Sequence, residues 1–201
     1  MEELQKLPPM AWMLILAGAA LGLLLFWGWR WYRQYRARKA LQAAVTAGCA
    51  DHLRDSLVPD GMGGSFHVDF LLLTLRGVVV IDLRDVKGNI FGGDQMAEWT
   101  VMDGASRFTF INPQSALYDR IAAVKALTGE VPVEGRIVFT RRGRFPKGLP
   151  KWTLMLDALR AEFPAADFES PADTVARFRK GWQSLRNAVK PSNMADMRSA
   201  G

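Results

Sequence analysis

From Leu7 to Trp29 the chain reads LPPMAWMLILAGAALGLLLFWGW, 23 residues without a charge. As a helix rising about 1.5 Å per residue, this run reaches across a hydrocarbon core of roughly 30 Å, which predicts one transmembrane helix over residues 7–29. Trp12 near one end and Trp27, Trp29, Trp31 and Tyr32 near the other fall where aromatic belts meet headgroups. Acidic Glu2 and Glu3 precede the run, and bulky Trp and Arg follow it in place of a small-residue cleavage site, so the pattern is that of a retained anchor. Arg30, Arg33, Arg36, Arg38 and Lys39 come next and, by the positive-inside rule, put the downstream chain in the cytoplasm and the short N-terminus outside. The same cluster attracts anionic lipid headgroups. Gly18 and Gly22 make a GxxxG step, a close-approach face through which two anchors form a homodimer.

Beyond the anchor the periodicity changes. KALQAAVTAGCADHLRDSL predicts a helix continuing from the anchor and weakened at Gly48, and PDGMGG at residues 59–64 breaks it. SFHVDFLLLTL and VVVIDLRDV predict two strands turning about Arg76 and Gly77, and NIFGG leads into a third. The second of these is apolar on both faces until Asp82, the pattern of a strand buried on both sides that surfaces at its charges. EWTVMDGASRFTFINP predicts a hairpin turning at Asp103 and Gly104. Asn112 as N-cap and Pro113 at the first position open a helix with Leu117, Ile121, Val124 and Leu127 on one face and Gly129 at its end. EGRIVFT reads as a buried strand, and Trp152, Met155, Leu156 and Leu159 as the face of a further helix. Ser170, Pro171 and Asp173 start a last helix carrying Val175, Phe178, Trp182, Leu185 and Val189. This order describes an α/β domain, a mixed sheet flanked by helices, over residues 45–190, after a tail at 1–6, the anchor and a basic segment at 30–44, and before a flexible tail at 191–201.

Charge refines the picture once it is located. The net charge of +6 divides unevenly: residues 41–135 carry seven basic against twelve acidic side chains, and residues 136–190 twelve against five. An acidic half followed by a basic half suits a carboxylate site beside a surface that attracts a polyanion. The single cysteine, Cys49, excludes an internal disulfide framework and a cysteine-ligated zinc, and is read as a packing residue.

Folding the two strands about Arg76 and Gly77 pairs residues whose numbers sum to 153, which sets Asp69 opposite Arg84 and makes it a diagonal neighbour of Asp82. Two carboxylates and a cation then converge, and hard oxygen ligands of this kind suit Mg2+ or Mn2+ holding a phosphodiester. His67 projects to the same side. An ordinary cross-strand ion pair between Asp82 and Arg84 explains the same residues without a metal.

FHVDFLLLTLRGVVVIDLRDVKGNIFG, followed by EWT, INP, a helix and VEGRIVFT, resembles the nuclease-related domain, NERD, over roughly residues 45–140. The resemblance implies a bacterial protein with a restriction-endonuclease-like core, nucleic-acid binding and metal-dependent phosphodiester hydrolysis. It carries the first acid of the family pattern onto Asp69, the second onto Asp82 and the lysine onto Arg84, with Asp69 and Asp82 as metal ligands and all three as the catalytic set. Arginine at the lysine position is a departure: it keeps its proton, so it supplies positive charge but no base. An inactive, membrane-tethered binding module on the same fold is therefore the alternative. Asn112 and Pro113 match the family's Asn-Pro block, with Gln114 directly after it and Ala116 where the family has Gln. Asp51 and Asp55 read as a solvated face of the opening helix. In RRGRFPKGLPKW, Arg141, Arg142, Arg144, Lys147 and Lys151 alternate with Phe145 and Trp152, a pattern for phosphate contact and base stacking on DNA or RNA.

Overall fold

The computed structural model describes residues 9–164 and 175–192, with the side chains of 9 and 11–17 excepted. The chain divides into two compact units, residues 1–43 and 44–201. Helix α1 (Pro9–Thr46) holds the described residues of the first. On it Arg33 lies over the Trp29 ring, Arg36 over Tyr32 and Lys39 over Tyr35, at 4.9, 5.9 and 4.7 Å, each an i, i+4 cation–aromatic contact. The span expected over residues 7–29 lies partly outside the described residues, and among those described no helix is long and apolar enough to cross a membrane.

The second unit is built on strands β1 (Asp51–Pro59), β2 (Ser65–Thr74), β3 (Gly77–Arg84), β4 (Gly88–Phe91), β5 (Glu98–Asp103), β6 (Ser106–Ile111), β7 (Val133–Phe139), β8 (Gly143–Arg144), β9 (Thr153–Met155) and β10 (Lys190–Pro191). Its helices among the described residues include α2 (Pro113–Thr128), α3 (Leu156–Glu162) and α4 (Arg179–Ala188). A six-stranded mixed sheet runs β10-β1-β2-β3-β7-β9, and a four-stranded sheet runs β6-β5-β4-β8. The expected α/β class with a mixed sheet and flanking helices is what the structure has.

Strand β3 lies between antiparallel β2 and parallel β7. Val78 and Val80 join a core with Ile90, Trp99 and Val101 of the smaller sheet and with Leu117 and Val124 of α2. Val79 and Ile81 point the other way, into a cluster with Leu159 and Phe163. Both faces are thus covered, which is why Val-Val-Val-Ile carries no polar alternation. Trp99 is fully buried and packs against Phe110, Phe139 and Phe145. Phe145, expected as an exposed stacking residue of the basic loop, belongs to this cluster instead.

Two expectations need correction. The stretch after Gly48 is strand β1, not helix: Asp51↔Leu73 through Pro59↔Ser65 pair it along β2. Its spacing of Leu53, Leu57 and Val58 satisfies a helical period, but the unpaired edge of β2 takes it into the sheet. The β2–β3 turn is centred on Leu75 and Arg76, one residue earlier than expected, because Thr74 pairs with Gly77 and the Thr74 hydroxyl donates to the Gly77 carbonyl at 3.0 Å. Gly77, at φ 125°, starts β3 so close to the preceding turn of β7 that a Cβ there would lie 2.2 Å from the Pro132 carbonyl oxygen. Paired numbers therefore sum to 151, a shift of two that keeps each side chain's face and changes its partner.

The C-terminal elements differ in detail. Trp152 sits in a turn with φ 54°, Met155 ends β9, and the expected helix begins only at Leu156. The start expected at Ser170–Asp173 lies outside the described residues, whereas Phe178, Trp182 and Leu185 are buried as expected. Pro191, expected in the tail, pairs with Ser56 of β1.

At the opposite end of β3, Arg136 donates to Glu162 at 2.7 Å, Arg76 stands 3.7 Å from the same carboxylate, and both guanidiniums lie over the Phe163 ring. The hydrogen bond from Arg136, helped by the two positive charges, holds the Glu162 carboxyl below its ordinary 4.5. A carboxyl depressed on folding stabilises above its unfolded value and loses that contribution as pH falls through the folded one. Glu162→Gln is therefore expected to flatten the loss of urea-midpoint stability between about pH 5 and pH 3. An acid limb identical to wild type would count against the pairing.

Candidate metal centre and cleft

The β1–β2 hairpin builds the centre. Arg54↔Phe70 and Ser56↔Val68 pair regularly, but the rung between them, Asp55 opposite Asp69, is missing, and Asp55 has φ 45°. On β2, Val68 and Leu71 both reach the same core although three positions apart, so the alternation of faces slips at Asp69. Asp69 Oδ2 accepts from the Leu83 N–H at 2.8 Å, just past the last β2–β3 rung at Phe70↔Ile81. A carboxylate thus takes the place of a ladder carbonyl and is fixed at the point where β2 and β3 part.

Here Asp55, His67 and Asp69 each bring a ligand atom within 4.8 Å of the others. His67 Nδ1 is 3.9 Å from Asp69 Oδ1, and Nε2 is 3.8 Å from Asp55 Oδ1. Nε2 is buried and has no hydrogen-bond partner among the described residues. Two carboxylates flanking one imidazole, Asp55 on the side of the unsatisfied Nε2 and Asp69 on the side of Nδ1, offer a donor set that suits a divalent cation, which would take up the unused Nε2 lone pair and neutralise the acids. A cleft of about 450 Å3 opens beside them, lined by Asp55, Asp69, Arg84 and Asp85.

Asp82 has other company. It is 3% exposed; Arg84 Nε lies 2.7 Å from its Oδ1, and Arg84 and Arg120 donate to its Oδ2 at 2.8 and 3.0 Å. Arg120, from α2, also donates from Nε to the His67 carbonyl at 2.7 Å, so one guanidinium ties β2 to β3 behind the centre. Of the residues expected to converge, Asp69 joins Asp55 and His67, while Asp82 and Arg84 form an ion-paired support one step away. Asp69 does not face Arg84, because of the two-residue shift in register. Asp55 was legible only as a surface acid. Arg120 carried no signal in the sequence, since its position beside the Leu117–Ile121–Val124 stripe resembles any flanking charge.

Asn112 caps α2, its Oδ1 accepting from Gln114 N–H at 2.9 Å. Gln114, 5% exposed, donates to Asp94 at 2.9 Å and to the Lys151 carbonyl at 3.0 Å. The bond from Gln114, with that from the Lys151 N–H, holds the Asp94 carboxyl below its usual range. The Asn-Pro block is therefore a structural corner that pins the end of the basic loop. Within that loop Arg141 pairs with Asp157 and Arg142 with Asp85, while Arg144, Lys147 and Lys151 extend along the surface. Trp152 is 38% exposed and meets the half-exposed Tyr118 edge to face at 4.7 Å. Burial and the nearby Asp51 push the Cys49 thiol up to about 11, so it stays protonated and unreactive near neutrality, as a packing residue should.

No curated protein and no solved structure matches the chain significantly. The NERD family, described as nuclease-related domain, matches residues 30–140, from the basic end of α1 through β7. That match covers more than half of the 201 residues and contains Asp55, His67, Asp69, Asp82, Arg84 and Arg120, and on this ground the chain belongs to the NERD, nuclease-related domain, family.

Proposed function

We propose that this protein is a membrane-anchored, nucleic-acid-binding phosphodiesterase of restriction-endonuclease-like design, with a divalent metal held by Asp55, His67 and Asp69. The observation that carries the reading is the gathering of Asp55, His67 and Asp69 ligand atoms within 4.8 Å of one another beside a cleft, with His67 Nε2 buried and without a hydrogen-bond partner among the described residues. An imidazole in the donor set favours Mn2+ over Mg2+. The metal, when bound, supplies Lewis-acid polarisation of a phosphodiester and a more acidic water. Arg84, lining the same cleft and held by Asp82, offers its remaining donors to the phosphate and offsets charge developing there. It replaces the family lysine as a fixed positive charge and does not act as a base. Arg120 positions the His67 backbone through its carbonyl.

For the anchor the support is the uncharged run of residues 7–29 and the exposure of Leu21, Leu24, Phe26, Trp27, Trp29 and Trp31 along α1, an apolar surface that lipid would cover. A bacterial inner-membrane location with the N-terminus outside, and pairing through Gly18 and Gly22, belong to the same proposal. The basic loop and the Tyr118–Trp152 pair are the surface offered to DNA or RNA.

The full chain in detergent micelles, incubated with end-labelled DNA and RNA, is expected to cleave with Mn2+ and not with EDTA. Binding without cleavage under every metal would instead favour the inactive tethered module.

A further inference from the structure

A second concavity, of about 380 Å3, lies between the β4–β5 pair and the start of the basic loop, lined by Lys87, Asn89, Asp103, Arg141, Arg142 and Arg144 with adjoining backbone. Four of its side chains are cationic and one is acidic. The sequence separates Lys87 from the arginines by more than fifty residues. Parallel pairing of β4 with β8, Gly88↔Gly143 and Asn89↔Arg144, joins them, and the Gly88 N–H donates to the Arg142 carbonyl at 3.0 Å. Alternation about Gly143 then sets Arg142 and Arg144 on one exposed side. Gly143 itself is buried, and a Cβ there would stand 2.9 Å from Ile90 Cδ1 and 3.0 Å from the Val86 carbonyl oxygen, so a side chain at this position would have to displace its neighbours.

The cations have weak holds. Lys87 pairs with Asp103 at 2.9 Å and is 62% exposed, and Arg142 pairs with Asp85 at 2.8 Å and is 57% exposed. Exposed pairs of this kind exchange readily for a phosphate. Arg144 makes no ion pair among the described residues. The Asp85 that holds Arg142 also lines the cleft of Asp55, Asp69 and Arg84 and accepts from the Thr140 hydroxyl at 2.6 Å. The two concavities therefore share the Asp85–Arg142 pair as their border.

We infer that this concavity is a phosphate subsite: it grips the sugar-phosphate backbone of a nucleic-acid strand on one side of the bond presented to the metal cleft. Lys87 and Arg144 are its main contacts, and Arg142 swings from Asp85 to a phosphate as the strand enters. Lys147 and Lys151 stand outside it. The inference rests on the nucleic-acid reading above but not on cleavage, because the grip needs no metal. An anionic lipid headgroup offers the same chemistry, and the shared border with the cleft is what favours a strand.

The test uses the full chain in detergent micelles with EDTA present, and fluorescence anisotropy of a labelled single-stranded 12-mer DNA across a salt series. Lys87→Ala with Arg144→Ala is expected to weaken binding about 30-fold and to lower the log–log salt slope by about 1.4, roughly 0.7 for each lost phosphate contact. Arg179→Ala with Lys180→Ala, which removes equal charge from α4, is expected to change affinity less than about twofold; an equal loss there would reduce the effect to net charge and overturn the subsite. The milder Lys87→Gln with Arg144→Gln pair, with an unchanged melting curve, guards against misfolding and should show the same loss. Unchanged affinity and slope in both pairs would overturn the subsite while leaving nucleic-acid binding intact. So would an absence of oligonucleotide binding together with Lys87- and Arg144-dependent binding to phosphatidylglycerol vesicles. Failure of wild type to bind Mn2+ would instead strike the metal reading alone, since this measurement excludes metal.

Discussion

Asp69→Asn is expected to lower Mn2+ affinity at least 100-fold and to reduce metal-dependent cleavage by about 10^3, roughly 4 kcal/mol of lost transition-state stabilisation. Asparagine keeps an oxygen where Asp69 accepts from the Leu83 N–H, so the parting of β2 and β3 survives and the loss is one of charge and ligation. His67→Ala should show a similar metal defect with a smaller effect on cleavage, because two carboxylates remain. Isothermal titration with Mn2+ and cleavage of a labelled oligonucleotide read the two effects separately. Full cleavage by Asp69→Asn would remove the centre from the proposal, whereas loss of cleavage with undiminished Mn2+ binding would move the metal elsewhere.

Asp82→Ala acts through stability. Two guanidiniums, from Arg84 and Arg120, converge on a carboxylate that is 3% exposed, and removing it leaves them facing each other with their partner gone. Breaking such a cluster costs about 3 kcal/mol, read as a fall in the urea midpoint at constant slope. By contrast Asp157→Ala, which breaks an ion pair whose members are 56% and 79% exposed, is expected to cost at most about 0.5 kcal/mol. If the two variants proved equally mild, Asp82 would not be the support assigned to it. Because Arg120 also holds the His67 carbonyl, Asp82→Ala is expected to weaken Mn2+ binding several-fold, a secondary effect that Asp157→Ala should lack.

Local pattern and tertiary structure part at particular residues. DHLRDSL satisfied a helical spacing, and nothing local distinguished it from a strand until β2 supplied an edge to pair with. The turn at Leu75–Arg76 lacks a strong hairpin signature, so local pattern leaves the register free by two residues, enough to take Arg84 out of the position opposite Asp69. Asp55, with a left-handed backbone at a missing rung, is locally just another acid. Phe145 and Trp152 part for a similar reason: aromatic residues in a basic loop look alike until packing sets one against Trp99 and leaves the other beside Tyr118.

What the chain's own pattern determined was each element that repeats with the backbone: the doubly buried β3, the capped helix after Asn112, the apolar stripe of α4 and the uncharged run at the start. These follow from burial periodicity and local hydrogen bonding, which act between near neighbours. The meeting of Asp55, His67 and Asp69, the clamp of Arg120 on Asp82, and the gathering of Lys87 with Arg144 were decided only in three dimensions. Each depends on strand register and on which helix crosses which sheet, and those are settled by the packing of the whole core.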